Sequence, residues 1–529
     1  MSGYKSDGPI SAVLGDSLTP SPAVSQVLSQ VNRGVQQYCP TSFALMSGTT
    51  QTRVEDFTDI GLDAWRGAIN ALSQEVSSLY TNSHALKPID FPILEEIGRF
   101  LKEQDFLYNG LRAPERQMAF TYRVIAFSLL PHYLRESLLG LPLEKEELDV
   151  LRGKISESER LLKAGIERLK NGDAYHTIAD QRIAHRIAQG LSSWANLPPE
   201  GEALINLLNQ LTKVEVKKQL KVGISASNYV QDVLGVSDSL HKIAEDLLDQ
   251  VSTEVDKVET IYGRNLSKSA GPNSKAYLEV KEVIRDTFFL IFEAAKAVLE
   301  DLSSSPPWFT PVPNLVEPFV SDALYLPYFC EGASIHGILL LHPSYMAREH
   351  PLLQANIAFV LAHEIIPGHR EHISRGHETP YAELFNITRS PTGAEGWAAY
   401  AESILELVSS AIPDAPKILY FHRLRRLVAV LSAIASEQVK KELSNLSRDL
   451  RSEILRAADR SRASFHQILA YVWGARETER VFGSLSQFLA HLPRAKMNEL
   501  YVALGPLSPR SVEKALKSIL AKGDISNSA

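Results

Sequence analysis

Residues 361–402 read LAHEIIPGHREHISRGHETPYAELFNITRSPTGAEGWAAYAE, setting four histidines and six glutamates between apolar helical segments. No other part of the chain combines these residue types in this way. The segment leading in, Leu352–Ile365, is nearly all apolar until it reaches His363 and Glu364. A helix that is apolar all round is a buried one. Its last turn therefore delivers an imidazole and a carboxylate to the interior. The second half of the stretch carries another carboxylate, Glu395, 26 residues after His369, in the segment Glu395-Gly-Trp-Ala-Ala-Tyr-Ala-Glu402.

His363-Glu364-Ile365-Ile366-Pro367-Gly368-His369 extends the zinc-binding His-Glu-x-x-His pattern by two residues. A catalytic zinc needs three protein ligands, one open position, and a nearby carboxylate to take a proton from water. Glu364 suits the base role. Histidines four apart lie about 40° apart around a helix and share a face. Histidines six apart are about 120° apart, so a regular helix would aim these two rings in different directions. The metal reading thus requires Pro367 and Gly368 to interrupt the helix and swing His369 back. Glu395 is the expected third ligand, with His372 and His377 as alternatives. Glu402 shares a helical face with Glu395 and suits a supporting contact to a ligating histidine. The competing structural account has the histidines merely capping helix carbonyls. It leaves the second histidine and the later carboxylate unexplained.

Outward from this stretch the chain is helical. Apolar residues recur at three- and four-residue spacing over Ala23–Tyr38, Leu62–Tyr80, Phe91–Gln104 and Gln117–Leu139. Leu143–Lys170 reads as a long helix with a solvated charged face. Further helices are expected over Gln181–Trp194, Gly201–Val222, Ala226–Leu234, Ser237–Tyr262 and Ala276–Leu302. The character changes at Ser303: Ser303–Val320 carries five prolines and is not helical, and Ser334–Leu341 is the clearest strand. Beyond the centre, helices are expected over Glu395–Ser409, Pro416–Lys441, Leu446–Val472, Arg476–Leu492 and Pro509–Lys522. The fold class is mainly α, a large helical zinc-peptidase-like fold with a small β-ribbon at the active-site cleft. A strand followed by an apolar helix bearing His-Glu is the order of many zinc peptidases, whose cleft-edge strand pairs with substrate backbone. The chain divides into an arm (1–20), an N-terminal helical lobe (21–302) and a catalytic lobe (303–529).

The 529 residues are 44% hydrophobic and 22% charged, as in an ordinary globular protein. A net charge of −7 without a long basic run gives no reason to expect nucleic acid or an anionic membrane as partner. Cys39 and Cys330 form no CxxC and fit a reducing compartment. No secretory leader pattern or long apolar span is evident. The expectation is a soluble cytoplasmic protein.

HEIIPGH followed by EGWAAYAE resembles the bacterial "domain of unknown function 885" family, which carries His-Glu-x-x-Pro-Gly-His and then Glu-Gly-Trp-Ala-x-Tyr-x-Glu. That family is similar in fold to zinc carboxypeptidases of the Taq type, which are large, almost wholly helical and deeply grooved. The resemblance implies a metallopeptidase using one zinc ion. Its C-terminal Pro-Gly-Gln-Ala-Leu-x-Tyr-x-x-Gly motif corresponds to Phe465–Gly474, where Gln467, Leu469, Tyr471 and Gly474 are kept and the Pro-Gly is not. By that position, and because a phenol donates at neutral pH, Tyr471 is the expected oxyanion donor, with His466 the second candidate. The family's Arg-Leu-Val-Val-Asp-Thr-Gly-x-His corresponds to Arg426–Ile434, with Val430 and Ile434 where Asp and His stand.

The leading expectation is zinc on His363, His369 and Glu395, with Glu364 as base, hydrolysing short peptides. A carboxypeptidase would need a cation for the terminal carboxylate, and Arg370, Arg389, Arg423, Arg425, Arg426 and Arg476 are available. A second reading is a metal-dependent hydrolase or tailoring enzyme for an amide-containing small molecule, motivated by Val430 and Ile434. A third is a helical binding protein with a vestigial site.

Overall fold

The computed structural model describes Leu18–Leu520 except for residues 48–50, 52, 82–85, 112–116, 138–139, 175, 215–239, 263–275, 301, 321, 328–336, 343–349, 388–390, 435, 449, 453, 456–464 and 489–493. Most of the arm, the Ala226–Leu234 helix, Cys330, Arg389 and residues 334–336 of the expected strand lie outside the described residues. The protein is about 75% helical, with a small three-stranded sheet, and so is mainly α.

Ten helices precede the sheet among the described residues: α1 (Pro22–Tyr38), α2 (Pro40–Ser47), α3 (Asp59–Thr81), α4 (Asp90–Leu111), α5 (Gln117–Ser137), α6 (Lys145–Asn171), α7 (Ile178–Ser192), α8 (Glu200–Leu211), α9 (Leu240–Tyr262) and α10 (Ala276–Ala295). Their ends carry local signals. Pro22 opens α1 at a position where a missing amide costs nothing. Glu144 and Glu147 close a capping box on α6, and Gly172 ends it in the left-handed region at φ 79°.

The proline-rich segment contains no α-helix; it supplies strand β1 (Trp308–Pro311) and one 3-10 turn over Glu317–Phe319. β2 (Ala323–Leu326) and β3 (Ile338–Leu341) complete a sheet of order β1-β3-β2. β3 is central and buried at all four residues, parallel to β1 and antiparallel to β2, with Tyr325 opposite Leu339. The clearest sequence strand is thus the middle one, buried on both faces.

Next comes α11 (His350–Glu364), buried without interruption from Ala355 to His363. The helix stops at Glu364, and α12 (His369–His377) begins five residues later with Gly368 at its N-cap. A Cβ on Gly368 would collide with the His363 carbonyl oxygen, so the tight return of the chain demands glycine there. α13 (Glu383–Ile387), α14 (Pro391–Ala401), α15 (Ala415–Ile434), α16 (Ser436–Glu442), α17 (Phe465–Phe488), α18 (Arg494–Ala503) and α19 (Pro509–Leu520) follow. α14 starts at Pro391, one turn before the sequence reading placed it, and tightens into a 3-10 turn over Glu402–Glu406.

A break expected between Val472 and Arg476 does not exist: α17 is continuous from Phe465 to Phe488. Gly474, which falls in the gap between the two expected helices, is instead a contact point. A Cβ on Gly396 of α14 would lie 2.5 Å from the Gly474 carbonyl carbon, and one on Gly474 2.7 Å from the Gly396 Cα. The two backbones touch at this glycine pair, one residue after Glu395 and three after Tyr471. Four large apolar clusters each join residues from both sides of Ser303; Leu28 and Trp397, for example, share one, as do Leu162 and Leu340. Position 303 therefore marks a change of character along the chain, while the cores in space draw on both sides of it. Among the described residues no helix is long and apolar enough to cross a membrane.

Replacing Gly396 by Ala should lower stability by about 1–3 kcal/mol, because the added methyl must push α14 off α17. Gly483→Ala, further along α17 where a Cβ meets nothing within 4 Å, is the control and should be neutral or stabilising by about 0.5–1 kcal/mol. Thermal or urea unfolding of the two variants measures the difference.

Candidate metal centre

The interruption after Glu364 does what six-residue spacing requires. The rings of His363 and His369 come to 4.9 Å between centroids at an interplanar angle of 82°. Ile365 and Ile366 both donate backwards to the Leu361 carbonyl, the second across five residues, so the helix widens into a π-type turn as it ends. The Ile366–Pro367 bond is cis. The Pro367 carbonyl then accepts a 2.8 Å hydrogen bond from the buried Trp397 indole N–H. Trp397 stands two residues after Glu395, so this bond ties the histidine turn to the helix that carries the carboxylate.

Glu395 is the one residue between Thr392 and Ala401 that keeps partial exposure; its neighbours along α14 are all buried. Its Oε2 lies 3.5 Å from His363 Nε2 and 3.4 Å from His369 Nε2. These separations are long for hydrogen bonds. Two donors bound at 2.0–2.1 Å to a tetrahedral zinc sit about 3.3–3.4 Å from each other, so the spacing matches joint ligation. The three ligand atoms all lie within 4.8 Å of one another. His363 Nε2 and Glu395 Oε2 are buried with no hydrogen-bond partner, and such atoms are costly unless something else satisfies them. An imidazole pair plus one carboxylate is a donor set of catalytic zinc sites, so these residues fit the metal.

The other face of His363 is fully engaged. Its Nδ1–H donates to Glu402 Oε1 at 2.8 Å, leaving the Nε2 lone pair for an ion. Glu402 is wholly buried, and Arg426 on α15 donates to both of its oxygens, at 2.8 and 2.9 Å. Burial would raise the Glu402 carboxyl, but Arg426 and His363 outweigh it and hold it below the usual range. Burial likewise opposes ionisation of Glu395, yet His369 and His363 bring it well below its ordinary value. His369 has no comparable carboxylate; its Nδ1 lacks a hydrogen-bond partner among the described residues.

Glu364 is turned toward the sheet, where its Oε2 accepts the Tyr325 backbone N–H at 3.2 Å. Tyr325 sits on β2, an edge strand of the sheet, where its amide meets the carboxylate. Glu364 also acts electrostatically on His363 and on Tyr471. The Tyr471 ring stacks on His363 at 5.3 Å and 30°, and its hydroxyl bonds Glu395. Burial first, and then Glu395, push this phenol well above its ordinary value, so it remains a donor at neutral pH.

Not every sequence candidate belongs to the centre. His372 Nε2 bonds the Gly505 carbonyl at 2.7 Å and its ring packs near Phe385 and Trp397, because one turn beyond His369 the helix faces α18 and the segment after it. His377 packs on Phe385. Neither joins the metal-ligand cluster. The His466 side chain lies outside the described residues. Of the arginines considered for a substrate carboxylate, Arg370 holds the Ser303 and Ser305 carbonyls and Glu371, Arg425 holds Asp322, Arg476 holds Asp246, and Arg423 lies 4.0 Å from Glu406. Sequence reasoning gave Arg426 no better role than these. Its proximity to the Glu402 carboxylate has no local signal, since the two are 24 residues apart on different helices.

No family model matches the chain, and no curated protein matches it. Solved structures do. A "putative lipoprotein" from Colwellia psychrerythraea superimposes with a TM-score of 0.55 at 14% identity, covering 96% of this chain and 100% of its own. A "putative lipoprotein of unknown function" from Shewanella oneidensis gives 0.61 at 14% identity, over 93% and 99%. These likenesses establish a shared fold over nearly the whole length.

Trp397→Phe removes the donor to the buried Pro367 carbonyl and should cost about 1–3 kcal/mol, measured by urea unfolding. A second expectation concerns pH. Without a metal, burial disfavours the His363 imidazolium, but Glu395 and Glu402 outweigh it and raise its pKa from 6.5 to about 9. That charge pairing stabilises the metal-free fold fully below pH 6.5 and is lost as pH rises through about 9. Zinc competes with the same proton, so its affinity should climb across this window; chelator competition at the two ends measures it, and a flat profile would contradict the assignment.

Proposed function

We propose that this protein is a zinc-dependent hydrolase of amide bonds in short peptides, and that it is a divergent relative of the domain of unknown function 885 family. The observation that carries the reading is the placement of Glu395 Oε2 at 3.5 and 3.4 Å from two imidazole nitrogens, with the opposite nitrogen of His363 already tied down by Glu402. A zinc ion held by His363, His369 and Glu395 would polarise a scissile carbonyl and activate water.

The residues around the triad supply the remaining functions. Glu364 accepts the proton of the attacking water and later returns it to the leaving amine. Its hydrogen bond to the Tyr325 amide keeps the carboxylate aimed along the sheet edge. Tyr471 keeps its proton and donates a hydrogen bond to the oxygen on which negative charge develops. β2 is an edge strand beside Glu364, a placement that favours an extended peptide as substrate. Arg370, Arg425, Arg426 and Arg476 are each held by a protein acceptor at 3.0 Å or less, which argues against one of these four serving as a dedicated carboxypeptidase anchor.

Hydrolysis of a non-peptide amide is the alternative, favoured by Val430. It occupies the family's aspartate position and is fully buried in an apolar core, where no carboxylate would be tolerated unpaired.

The test is metal analysis of purified protein, then turnover of short peptides and blocked amides with and without chelator. Glu364→Gln should retain zinc and lose at least about 10²-fold in kcat. Chelator-insensitive turnover, or wild-type rates in Glu364→Gln, would overturn the reading. Cleavage of the blocked amides alone would select the alternative.

A further inference from the structure

We infer that Arg426 is a positioning residue that sets the zinc ligand His363 and the donor Tyr471 at the same time, an inference that rests on the proposed hydrolase reading. Two sets of contacts from one guanidinium carry it. Nη1 donates to both oxygens of Glu402, whose Oε1 in turn accepts from His363 Nδ1. The guanidinium carbon also lies 4.4 Å from the centroid of the Tyr471 ring and 5.4 Å from that of Phe359.

Those two rings flank His363. Phe359 runs parallel to the imidazole at 12° and 6.4 Å, and Tyr471 stacks on it at 30° and 5.3 Å. Arg426 therefore reaches the ligand by a hydrogen-bonded route through Glu402 and by a stacked route through Tyr471. The first fixes the plane of a fully buried carboxylate, and with it the rotation of the imidazole about its Cβ–Cγ bond. The second holds a phenol by cation–π attraction at the position from which its hydroxyl reaches Glu395. Arg426 is not a member of the metal-ligand cluster, so it acts through these two groups.

The routes separate by substitution. A lysine keeps a positive charge for Glu402, but its compact ammonium cannot sit on that carboxylate and over the Tyr471 ring at once, as the forked guanidinium does. A glutamine keeps neither. Arg426→Gln should weaken zinc about 10–100-fold by chelator competition. Arg426→Lys should recover most of that affinity while kcat on a cleaved peptide stays about tenfold low with KM unchanged, because Tyr471 is no longer held. Circular dichroism and thermal unfolding report the folded fraction, to which both measurements are normalised.

Zinc affinity and kcat equal to wild type in Arg426→Gln would overturn the inference. So would a lysine variant with both properties restored, which would remove the stacking role, or variants whose losses follow their unfolded fractions. Wild-type protein that binds no zinc or cleaves nothing would instead strike at the hydrolase reading. The zinc measurement is independent of any substrate, so the two failures are distinguishable.

Discussion

A carboxylate with no solvent exposure is among the most costly groups a protein can carry, and Glu402 is one. It persists because Arg426 and His363 supply charge-assisted hydrogen bonds to its oxygens. Much of the centre hangs on this arrangement. Removing either partner would strand a buried charge, so α11, α14 and α15 are held in one relation at the point where Glu402 leaves helical geometry. The Trp397–Pro367 bond makes a second tie between the same regions, fixing the histidine turn against α14. One link is ionic and the other neutral, and together they oppose both rotation of the helices and sliding between them.

The sequence states the composition of the site but not its depth. The apolar run ending in His363-Glu364 announced a buried helix, and the six-residue spacing announced that it must stop before His369. Both follow from helical geometry, and the structure ends α11 at Glu364 and restarts at His369. Glu395 and Glu402 were readable as a pair on one helical face because seven residues make nearly two turns. His372 was not separable from His369 by the same reasoning, since only tertiary packing shows that the next turn faces Gly505.

Glycine was the hardest residue to read. Gly368 fell where the pattern demanded an interruption and serves as one. Gly474 falls in the Trp473–Ala475 gap between two expected helices, yet it lies inside an unbroken helix and makes the contact with Gly396. A helix-breaking residue and a close-packing residue are the same letter, and only the partner backbone tells them apart. The mainly helical class was legible throughout from apolar spacing. The way the cores draw together residues from both sides of Ser303 was not, because periodicity reports which face is buried and is silent about what buries it.

The Gly396–Gly474 contact has a consequence for how the centre tolerates change. Distances between most packed helices depend on the side chains between them and drift as those side chains are exchanged. Here two main chains rest on each other without intermediaries, so their separation is set by atomic radii. The gap between Glu395 and the Tyr471 phenol is thereby insulated from substitutions in the surrounding hydrophobic clusters. A lineage could diverge until little of its core remained recognisable and still keep that dimension.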